Sequence, residues 1–490
     1  MKNQKTNNFN QALWLSVSYV CSMAVGIVSS AILTRYFDKV EYGTYKQIMY
    51  VYYILFTVFQ AGLPAVFTYF LPKYGEGEGK YIVKKINGLL FTLGVLCSLV
   101  LFIASGLLAD LLKNQELAIG LKIFSLFPLF TLPTLGVEGI YTVHKNTKFI
   151  AFYNIVTRLL MLACIIIPVV FIKNDYRYVL VGWGIASFVA FVIAIIAKNR
   201  AYKEVDEIEL PNMYREVLNY TLPIMGSALI FMVFNSATQL FISRYYGTVA
   251  FAEYSNGYMA LPFVTIFVAP VRMLLTPMFA KASSFGDYST PLTSLYNSTK
   301  QLFVLLMPLI VFSFLYAREI MQFLYGDGYV NSFIYFRIIL MFNFVEMFPF
   351  SILLAAIGKS KLCFKFDIIC TILLWMVNIL LVTSDIGNPY LITAAFVFLN
   401  ACTKYFLPSI FLYKKGNIRV INADIMTYMF KVLIHTSISA LVIYYVLNRI
   451  GRFTNLFIVL CLALSLYYLL LIMTSRLVKI NYLQVLLKFK

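Results

Sequence analysis

The sequence predicts an all-α integral membrane protein with about fourteen transmembrane helices. The 490-residue chain is 61% hydrophobic and only 12% charged, and its mean hydropathy is +0.82. It contains 44 Phe and 36 Tyr, so its polar groups could not cover an exterior that faces water. Its apolar residues form continuous runs of about 20 residues, the length that an α-helix needs to cross a bilayer, whereas barrel strands alternate over about ten. These observations exclude a soluble fold.

The predicted spans are joined by short connections. The spans are 11–33, 48–71, 88–108, 119–141, 149–172, 178–197, 221–242, 256–280, 301–317, 333–357, 367–384, 391–413, 429–447 and 456–475. The longest connection, 198–220, has about 23 residues, which leaves no room for a soluble catalytic domain. Its acidic residues, Glu204, Asp206, Glu207 and Glu209, are interpreted as part of a solvated linker. The protein is therefore expected to act within the membrane.

The basic residues are distributed unequally between the two sides of the predicted topology. With the N-terminus inside, 24 Lys and Arg fall on cytoplasmic segments and 11 on the opposite side. Lys198 belongs to the first group and Lys46 to the second. Such an excess marks the cytoplasmic side of membrane proteins, so we predict cytoplasmic N- and C-termini. It also explains much of the formal charge of +19 without a nucleic-acid partner.

Metal and disulfide chemistry are not predicted. The seven cysteines all lie in apolar stretches and form no Cys-x-x-Cys motif. Only His144 and His435 could supply imidazole ligands. No resident cofactor is therefore expected.

Two segments of the chain resemble each other. They read LTRYFDKVEYGTY (33–45) and ISRYYGTVAFAEYSNGY (242–258). The matched residues are Arg35 with Arg244, Tyr36 with Tyr245, Glu41 with Glu253 and Tyr42 with Tyr254. The next helix of each copy is expected to carry an internal proline, Pro64 or Pro270. Six spans separate the copies, so both halves begin on the cytoplasmic side, as in a parallel repeat.

This duplication predicts two six-helix lobes. The N-lobe comprises residues 1–200 with spans one to six, and residues 201–220 form a cytoplasmic linker. The C-lobe comprises residues 221–413 with spans seven to twelve, and residues 414–490 hold two additional helices and a cytoplasmic tail. Transporters built from such repeats bind substrate between the lobes and rock the lobes to give alternating access.

The sequence resembles the polysaccharide and O-antigen flippases of the multidrug/oligosaccharidyl-lipid/polysaccharide exporter superfamily over essentially the whole chain. The motifs that carry the resemblance are Arg35-Tyr36 with Glu41-Tyr42-Gly43, then Gly62-Leu63-Pro64, and then Gly358-Lys359-Ser360-Lys361. The resemblance implies export of an undecaprenyl-pyrophosphate-linked oligosaccharide across the bacterial plasma (inner) membrane for cell-surface polysaccharide biosynthesis. It also makes the polysaccharide polymerase machinery a candidate partner.

Two other functions stay open. A drug/cation antiporter of the same superfamily resembles a twelve-span core, whereas the two additional spans and the basic residues within the membrane favour an anionic, lipid-linked cargo. A membrane enzyme, such as a polysaccharide polymerase or a glycosyltransferase, would be expected to carry a large outer loop or an acidic catalytic cluster. The predicted outer loops are all about 15 residues or shorter. We therefore expect a transporter and not an enzyme.

Basic side chains within the spans are candidates for substrate binding. An intramembrane charge costs about 2.5 to 3.5 kcal/mol on insertion scales, so each such group should face a cavity or a partner. Arg158, Arg272 and Lys404 lie deepest, and Arg and Lys both suit the oxygens of a pyrophosphate. The alternative for each is a buried ion pair, with Glu138 and Glu346 as available partners.

Four other residues are weaker candidates for substrate binding. Arg35 and Arg244, just beyond the outer ends of their spans, could form an outer gate or contact the headgroup, or could anchor their helices at the interface. Asn235 and Gln239, four residues apart on span seven, could meet sugar hydroxyls or could serve helix packing.

Two carboxylates are candidates for ion coupling. Glu346 lies near the middle of span ten, where a carboxylate could bind H⁺ or Na⁺ or pair with a cation. Glu138 lies near the cytoplasmic end of span four, and pairing with a cation is favoured there.

Overall fold

The structure is a computed structural model that describes residues 2–259, 261–384, 386–416, 418–450, 455–480 and 482. All regular structure in these residues is helical, and thirteen of the helical stretches are long and apolar enough to cross a membrane. They cover the fourteen predicted spans, because Ser332–Thr383 is 52 residues long and contains two of them. Its backbone leaves the helical conformation at Ile357 and at Gly358, where φ is 79°. The predicted all-α membrane fold is confirmed.

The first compact unit is Met1–Ala252. Its helices are α1 (Lys2–Tyr36), α2 (Lys39–Gln60), α3 (Pro64–Phe70), α4 (Glu76–Ile103), α5 (Ser105–Leu111), α6 (Glu116–Phe124), α7 (Leu126–Thr131), α8 (Val137–Val143), α9 (Thr147–Phe171), α10 (Tyr176–Ala201) and α11 (Met213–Gly257). The last five residues of α11 belong to the second unit. Helix α9 packs against α1 and α10, α4 packs against α7, and α3 packs against α8. A buried apolar core joins α3, α4, α8, α9 and α10.

The second compact unit is Glu253–Lys490. Its helices are α12 (Pro262–Phe285), α13 (Ser289–Leu315), α14 (Ala317–Tyr325), α15 (Ser332–Glu346), α16 (Phe350–Leu354), α17 (Ser360–Thr383), α18 (Pro389–Ala401), α19 (Leu407–Gly416), α20 (Ala423–Ile450) and α21 (Leu456–Thr474). Helix α13 packs against α12 and α20, α15 packs against α18, and α20 packs against α21.

Proline and glycine interrupt the second predicted span. Helix α2 ends at Gln60, and Ala61 and Gly62 then take positive φ angles of 49° and 70°. Pro64 begins α3, a position where the missing N–H of proline leaves no helical hydrogen bond unmade. The prediction that Pro64 lies inside a helix is therefore wrong, whereas Pro270 does lie inside α12.

The two similar segments have similar local structure. Helix α1 ends one residue after Arg35, and the backbone of α11 breaks at Gly247, three residues after Arg244. The matched Tyr42 and Tyr254 are both buried. These features are consistent with a duplication, which stays a prediction.

The connection after α10 packs on the first unit. The Ile208 N–H donates a 3.1 Å hydrogen bond to the Gly77 carbonyl oxygen at the start of α4, and Lys84 Nζ lies 2.7 Å from Glu207 Oε2. Helix α11 begins at Met213, eight residues before the predicted span. The compact units divide within α11, whereas the predicted lobes divide in this connection, and the lobe boundaries stay a prediction.

The close crossing of α9 and α10 generates a stability prediction. A Cβ at Gly182 would collide with the Cys164 carbonyl oxygen, whereas Gly184 on the same helix has open space around it. Small residues permit such close approach between membrane helices. We expect Gly182→Val to destabilise the protein by about 1 to 3 kcal/mol, measured as a lower thermal midpoint in detergent. The matched Gly184→Val should change the midpoint little. Equal midpoints for the two variants would contradict the packing described.

Candidate functional site

A cavity of about 740 Å³ lies within the first unit, among its membrane-spanning helices. Its lining combines aromatic rings, hydroxyl groups, a carboxylate and a guanidinium, which belong to Tyr19, Tyr52, Phe56, Trp183, Thr68, Thr131, Thr157, Glu138 and Arg158. A site of this volume lies within the range of about 300 to 1,000 Å³ that is usual for small-molecule ligands. The cavity contains two of the residues predicted from the sequence, Arg158 and Glu138.

The wall of this cavity depends on an interruption of the fourth span. After α7, residues Leu132–Thr134 form a 3₁₀ turn, Leu135 is extended, and Gly136 takes a left-handed φ of 93° before α8 begins. A Cβ at Gly136 would also collide with the Phe67 ring, so glycine is required there for two reasons. The interruption places residues 134–137 in the cavity wall.

Glu138 and Arg158 have different surroundings in the cavity. Glu138 Oε1 accepts a 2.7 Å hydrogen bond from Asn154 Nδ2. Arg158 Nη1 lies 3.9 Å from the Met161 sulfur, and within the described residues neither Arg158 nor Glu138 forms an ion pair. The ion pair proposed from the sequence as the alternative for Arg158 is therefore not formed there. Its guanidinium keeps donors for a ligand.

A buried lysine holds the interrupted backbone of the fourth span. Lys198 in α10 is only 1% exposed. Its Nζ donates hydrogen bonds to Asn87 Oδ1 at 2.7 Å, to the Pro133 carbonyl oxygen at 2.8 Å and to the Leu135 carbonyl oxygen. The interruption leaves these carbonyls without helical partners, and a cation near a helix C-terminus is favourable. The predicted placement of Lys198 in a connection is wrong, because the helix continues beyond the last residue of the apolar run.

Three arginines make similar contacts with the carbonyl groups at helix C-termini. The contacts are Arg244 Nη1 with Leu111 at the end of α5, Arg272 Nη2 with Glu346 at the end of α15 (3.1 Å), and Arg337 Nε and Nη2 with Phe314 and Leu315 at the end of α13 (2.9 and 3.3 Å). Lipid has no hydrogen-bond donor for a carbonyl oxygen, and an unpaired carbonyl in lipid raises the free energy of the folded protein. Each arginine avoids this cost by donating a hydrogen bond. The ligand roles predicted for Arg244 and Arg272 stay predictions.

Four charged side chains lie together in the second unit: Arg272, Glu346, Lys404 and Asp367. Arg272 Nη2 is 3.9 Å from Glu346 Oε1, so the ion pair considered as an alternative for Arg272 is present. Lys404 Nζ lies 4.8 Å from the centre of the Phe342 ring, and the charges of Glu346, Arg272 and Asp367 all act on it. The cluster holds two cations and two carboxylates, a composition suited to proton or cation exchange.

Asp367 is a member of this cluster that the sequence alone does not single out. The predicted span eleven begins at this residue, whereas α17 begins at Ser360 and carries Asp367 in its second turn. The available signal was a carboxylate flanked by apolar residues in FKFDIIC (364–370). The wide helical turn Cys402–Phe406 that carries Lys404 has no comparable signal, although such turns are frequent at functional sites.

The remaining predicted side chains lie outside the 740 Å³ cavity. Arg35 Nη1 donates a 3.2 Å hydrogen bond to the Ala31 carbonyl oxygen, and Asn235 Nδ2 donates a 2.6 Å hydrogen bond to the Phe231 carbonyl oxygen. Gln239 is half-buried one turn after Asn235 on α11. Among the described residues, Arg35, Asn235 and Gln239 do not line the cavity. Their roles in substrate binding stay predictions.

No metal centre is evident in the part of the chain that the structure describes. No group of three or more His, Cys, Asp or Glu there could hold a metal ion, and all seven cysteines are unpaired. His435 lies instead between two hydroxyl groups, with Nδ1 2.9 Å from the Tyr482 oxygen and Nε2 2.8 Å from Thr474 Oγ1.

A known protein family matches the sequence of this chain. The polysaccharide biosynthesis protein family matches residues 9–283, more than half of the chain. The chain belongs to this family. The matched region covers α1 to α11 and therefore includes every residue that lines the 740 Å³ cavity. The family resemblance predicted from the sequence is confirmed.

Solved structures of transporters share the fold of this family member. The lipid II flippase MurJ, in an inward closed conformation, is 14% identical, with a TM-score of 0.69 over 95% of this chain and 99% of the flippase. A MOP superfamily transporter from Pyrococcus furiosus is 14% identical, with a TM-score of 0.58 over 85% and 96%. An inward-facing multidrug resistance MATE family transporter is 13% identical, with a TM-score of 0.55 over 85% and 96%. At these identities the similarity shows the fold alone. Among curated proteins, none matches this sequence.

The contacts of Lys198 generate a stability prediction. Lys198→Met should lower the thermal midpoint strongly, because each buried acceptor left unpaired costs about 1 to 3 kcal/mol. Lys203→Met is the matched control, since Lys203 is exposed just beyond the end of α10 and should change stability by less than about 0.5 kcal/mol. Thermal unfolding of the purified variants in detergent measures both. A midpoint for Lys198→Met equal to that of the control would contradict the described role of the ammonium group.

Proposed function

We propose that the protein exports an oligosaccharide linked to a polyprenyl pyrophosphate, such as undecaprenyl pyrophosphate, across the bacterial plasma membrane by alternating access. The glycan would be used in cell-surface polysaccharide biosynthesis, with the polymerase machinery as a partner. Membership of the polysaccharide biosynthesis protein family supports the pathway, and similarity to a lipid II flippase supports the transport of a lipid. We place both termini in the cytoplasm, on the side favoured by the basic residues.

The observation that carries this proposal is the composition of the 740 Å³ cavity. Rings such as Tyr52 and Trp183 offer apolar surfaces to the C–H faces of a sugar, and Thr68 and Thr131 offer hydroxyl groups as donors and acceptors. Glu138, paired with Asn154, adds a carboxylate oxygen and an amide to the same wall. Apolar surface combined with a few polar groups is what an oligosaccharide needs for oriented binding.

Arg158 is the proposed phosphate ligand in this cavity. Its planar guanidinium matches phosphate oxygens in a bidentate geometry, and within the described residues it has no ion-pair partner. A charge placed among membrane helices without a partner is costly, so a dianionic ligand would stabilise it. Glu138 in the same cavity also has no ion pair among the described residues, but it accepts a hydrogen bond from Asn154, whereas the Arg158 guanidinium lies 3.9 Å from the Met161 sulfur. We therefore prefer an anionic cargo to the cationic cargo of a drug antiporter. Transport of cationic drugs remains the alternative that the MATE-like fold supports.

Replacing Arg158 tests the proposed cargo. Arg158→Gln should reduce surface glycan about 10- to 100-fold, because a charge-assisted hydrogen bond is worth about 1.5 to 3 kcal/mol. Arg158→Lys should restore part of the export. The matched control is Arg177→Gln on α10, because Arg177 is paired with Glu116 at 2.9 Å and lies outside the cavity lining. Surface polysaccharide is measured in cells that depend on the variant at equal protein level. Normal export by Arg158→Gln would remove this residue from the site.

The charge cluster of the second unit leads to a proposal about the driving force. An exported pyrophosphate carries roughly two negative charges outward, and the membrane potential favours each by about 2.3 kcal/mol per 100 mV. The potential alone could therefore bias export, and H⁺ or Na⁺ exchange at Glu346 would then be an auxiliary step.

Neutralising Glu346 separates these two driving forces. We expect Glu346→Gln to slow transport in vesicles without stopping it, whereas collapse of the potential with a K⁺ ionophore should slow it strongly. Glu319→Gln is the control, because Glu319 lies on α14, outside the described cluster. Complete loss of transport in Glu346→Gln, together with indifference to the ionophore, would show that an ion cycle through this carboxylate drives export.

A further inference from the structure

A cleft of about 340 Å³ lies between α4 and the end of α10 in the first unit. Four lysines, two amides and a phenol line it: Lys80, Lys84, Asn87, Lys198, Asn199, Tyr202 and Lys203. On α4 the residues Lys80, Lys84 and Asn87 are separated by three, four or seven positions, the spacing that places side chains on one helical face. Lys198 lies in the last turn of α10, and Tyr202 and Lys203 follow directly after this helix. One face of α4 and the end of α10 therefore line the same cleft.

Among the described residues, the side chains that line this cleft include four lysines and no carboxylate. Glu207 pairs with Lys84 at 2.7 Å, and Glu76 lies near enough to act on the Tyr202 hydroxyl. Glu204 and Asp206 follow in the exposed connection, but neither of them lines the cleft. Lys80 Nζ donates a 2.6 Å hydrogen bond to a neutral backbone carbonyl, that of Val205, which leaves its charge in place.

We propose that this cleft binds a phosphate-bearing anion, supplied by an anionic phospholipid of the adjoining leaflet. The ammonium groups of Lys80, Lys84 and Lys203, the Asn87 amide and the Tyr202 hydroxyl are donors that suit phosphate oxygens. Lys198, whose three N–H groups are used within the protein, adds its charge. Burial, and then the charge of Glu76, raises the pKa of Tyr202 to about 12, so its hydroxyl stays protonated and able to donate at neutral pH. This assignment does not depend on the proposed cargo or on the lining of the 740 Å³ cavity.

The position of the cleft favours a lipid over a soluble phosphate compound. Helix α4 is apolar from residue 88 onward, and α10 is apolar through most of the residues before Lys198. The cleft therefore lies where both spans change from apolar to polar, the level at which lipid phosphates lie. Val83 and Ile195 add apolar surface to the same cleft. Basic pockets between membrane helices on the cytoplasmic side are known to bind anionic headgroups.

Lys198 connects this cleft to the 740 Å³ cavity. The same Nζ that lines the cleft donates to the Pro133 and Leu135 carbonyl oxygens. Thr134 and Leu135 belong to the cavity wall. An anion bound beside Lys198 therefore favours the charged form of the group that holds this wall, and its binding should raise the thermal midpoint of the protein.

Lipid retention by the full-length protein tests the proposal. Purified protein is placed in nanodiscs of phosphatidylcholine with or without phosphatidylglycerol, and bound lipid is counted by native mass spectrometry after release. The wild type should retain phosphatidylglycerol selectively and unfold at a higher temperature in its presence. The Lys80→Gln/Lys203→Gln variant should bind it about 30-fold more weakly, because each of the two basic residues removed strengthens the attraction of anionic lipid about fivefold near a membrane surface.

Lys85→Gln is the matched control for this experiment. Lys85 lies on α4 beside Lys84, but its Nζ lies 5.1 Å from the centre of the Tyr81 ring and it does not line the cleft. This variant should behave as the wild type. If the double variant folds poorly, Lys203→Glu replaces it in this experiment, because Lys203 is exposed. This single variant should also lose its selectivity for phosphatidylglycerol.

Inorganic phosphate distinguishes the two sources of the anion. It is titrated onto the protein in nanodiscs that contain phosphatidylcholine only. A rise in the thermal midpoint of the wild type but not of the double variant would support the phosphate site and assign it to a soluble ligand. The proposal is overturned if the wild type responds to neither phosphatidylglycerol nor phosphate, or if the cleft variants respond as the wild type does. Export is not measured, so failure of the proposed cargo would not affect the result.

Discussion

A bilayer offers no partner to a backbone carbonyl, and this constraint accounts for the positions of Lys198, Arg272 and Arg337. Wherever a helix ends or breaks among the described spans, the last carbonyls need donors. Lys198 supplies them at the interrupted fourth span, and Arg272 and Arg337 supply them at the ends of α15 and α13. The free-energy cost of inserting a cation is offset because the cation donates hydrogen bonds to several carbonyl oxygens that lipid would leave unpaired. Lys198, Arg272 and Arg337 therefore have a structural function whatever ligand they also bind.

Arg158 differs from these residues, and the difference supports its proposed role. Among the described residues it forms no ion pair, its guanidinium lies 3.9 Å from the Met161 sulfur, and it lines a cavity that also holds aromatic rings and hydroxyl groups. A guanidinium without an ion-pair partner in such a cavity is available to an anionic ligand. The interrupted fourth span forms the wall of this cavity. The backbone break, the lysine that holds it and the free arginine are thus parts of one arrangement.

The sequence was sufficient for the fold class, the number of spans and the family. Runs of apolar residues define membrane helices well, because hydrophobic length is the property that the bilayer selects. The ends of the helices were predicted less well, since an apolar run stops at the first charge. Apolar runs therefore place Lys198 and Lys46 in connections, whereas Lys198 lies in α10 and Lys46 lies in α2 with its ammonium donating to Ser30 Oγ. The site was predicted in part. Arg158 and Glu138 share a cavity, but carbonyl contacts such as that of Arg272 have no sequence pattern, because every residue carries the acceptor.

The most direct measurement of the central claim is lipid translocation by the purified protein. Proteoliposomes would contain a fluorescent oligosaccharide on polyprenyl pyrophosphate, and a membrane-impermeant glycosidase added outside would report the fraction of glycan that reaches the outer leaflet. We expect protein-dependent conversion of the protected inner pool, with the same lipid carrying no pyrophosphate transported much more slowly. Transport of a cationic drug by the same vesicles, with the inner glycan pool unchanged, would contradict the proposed function.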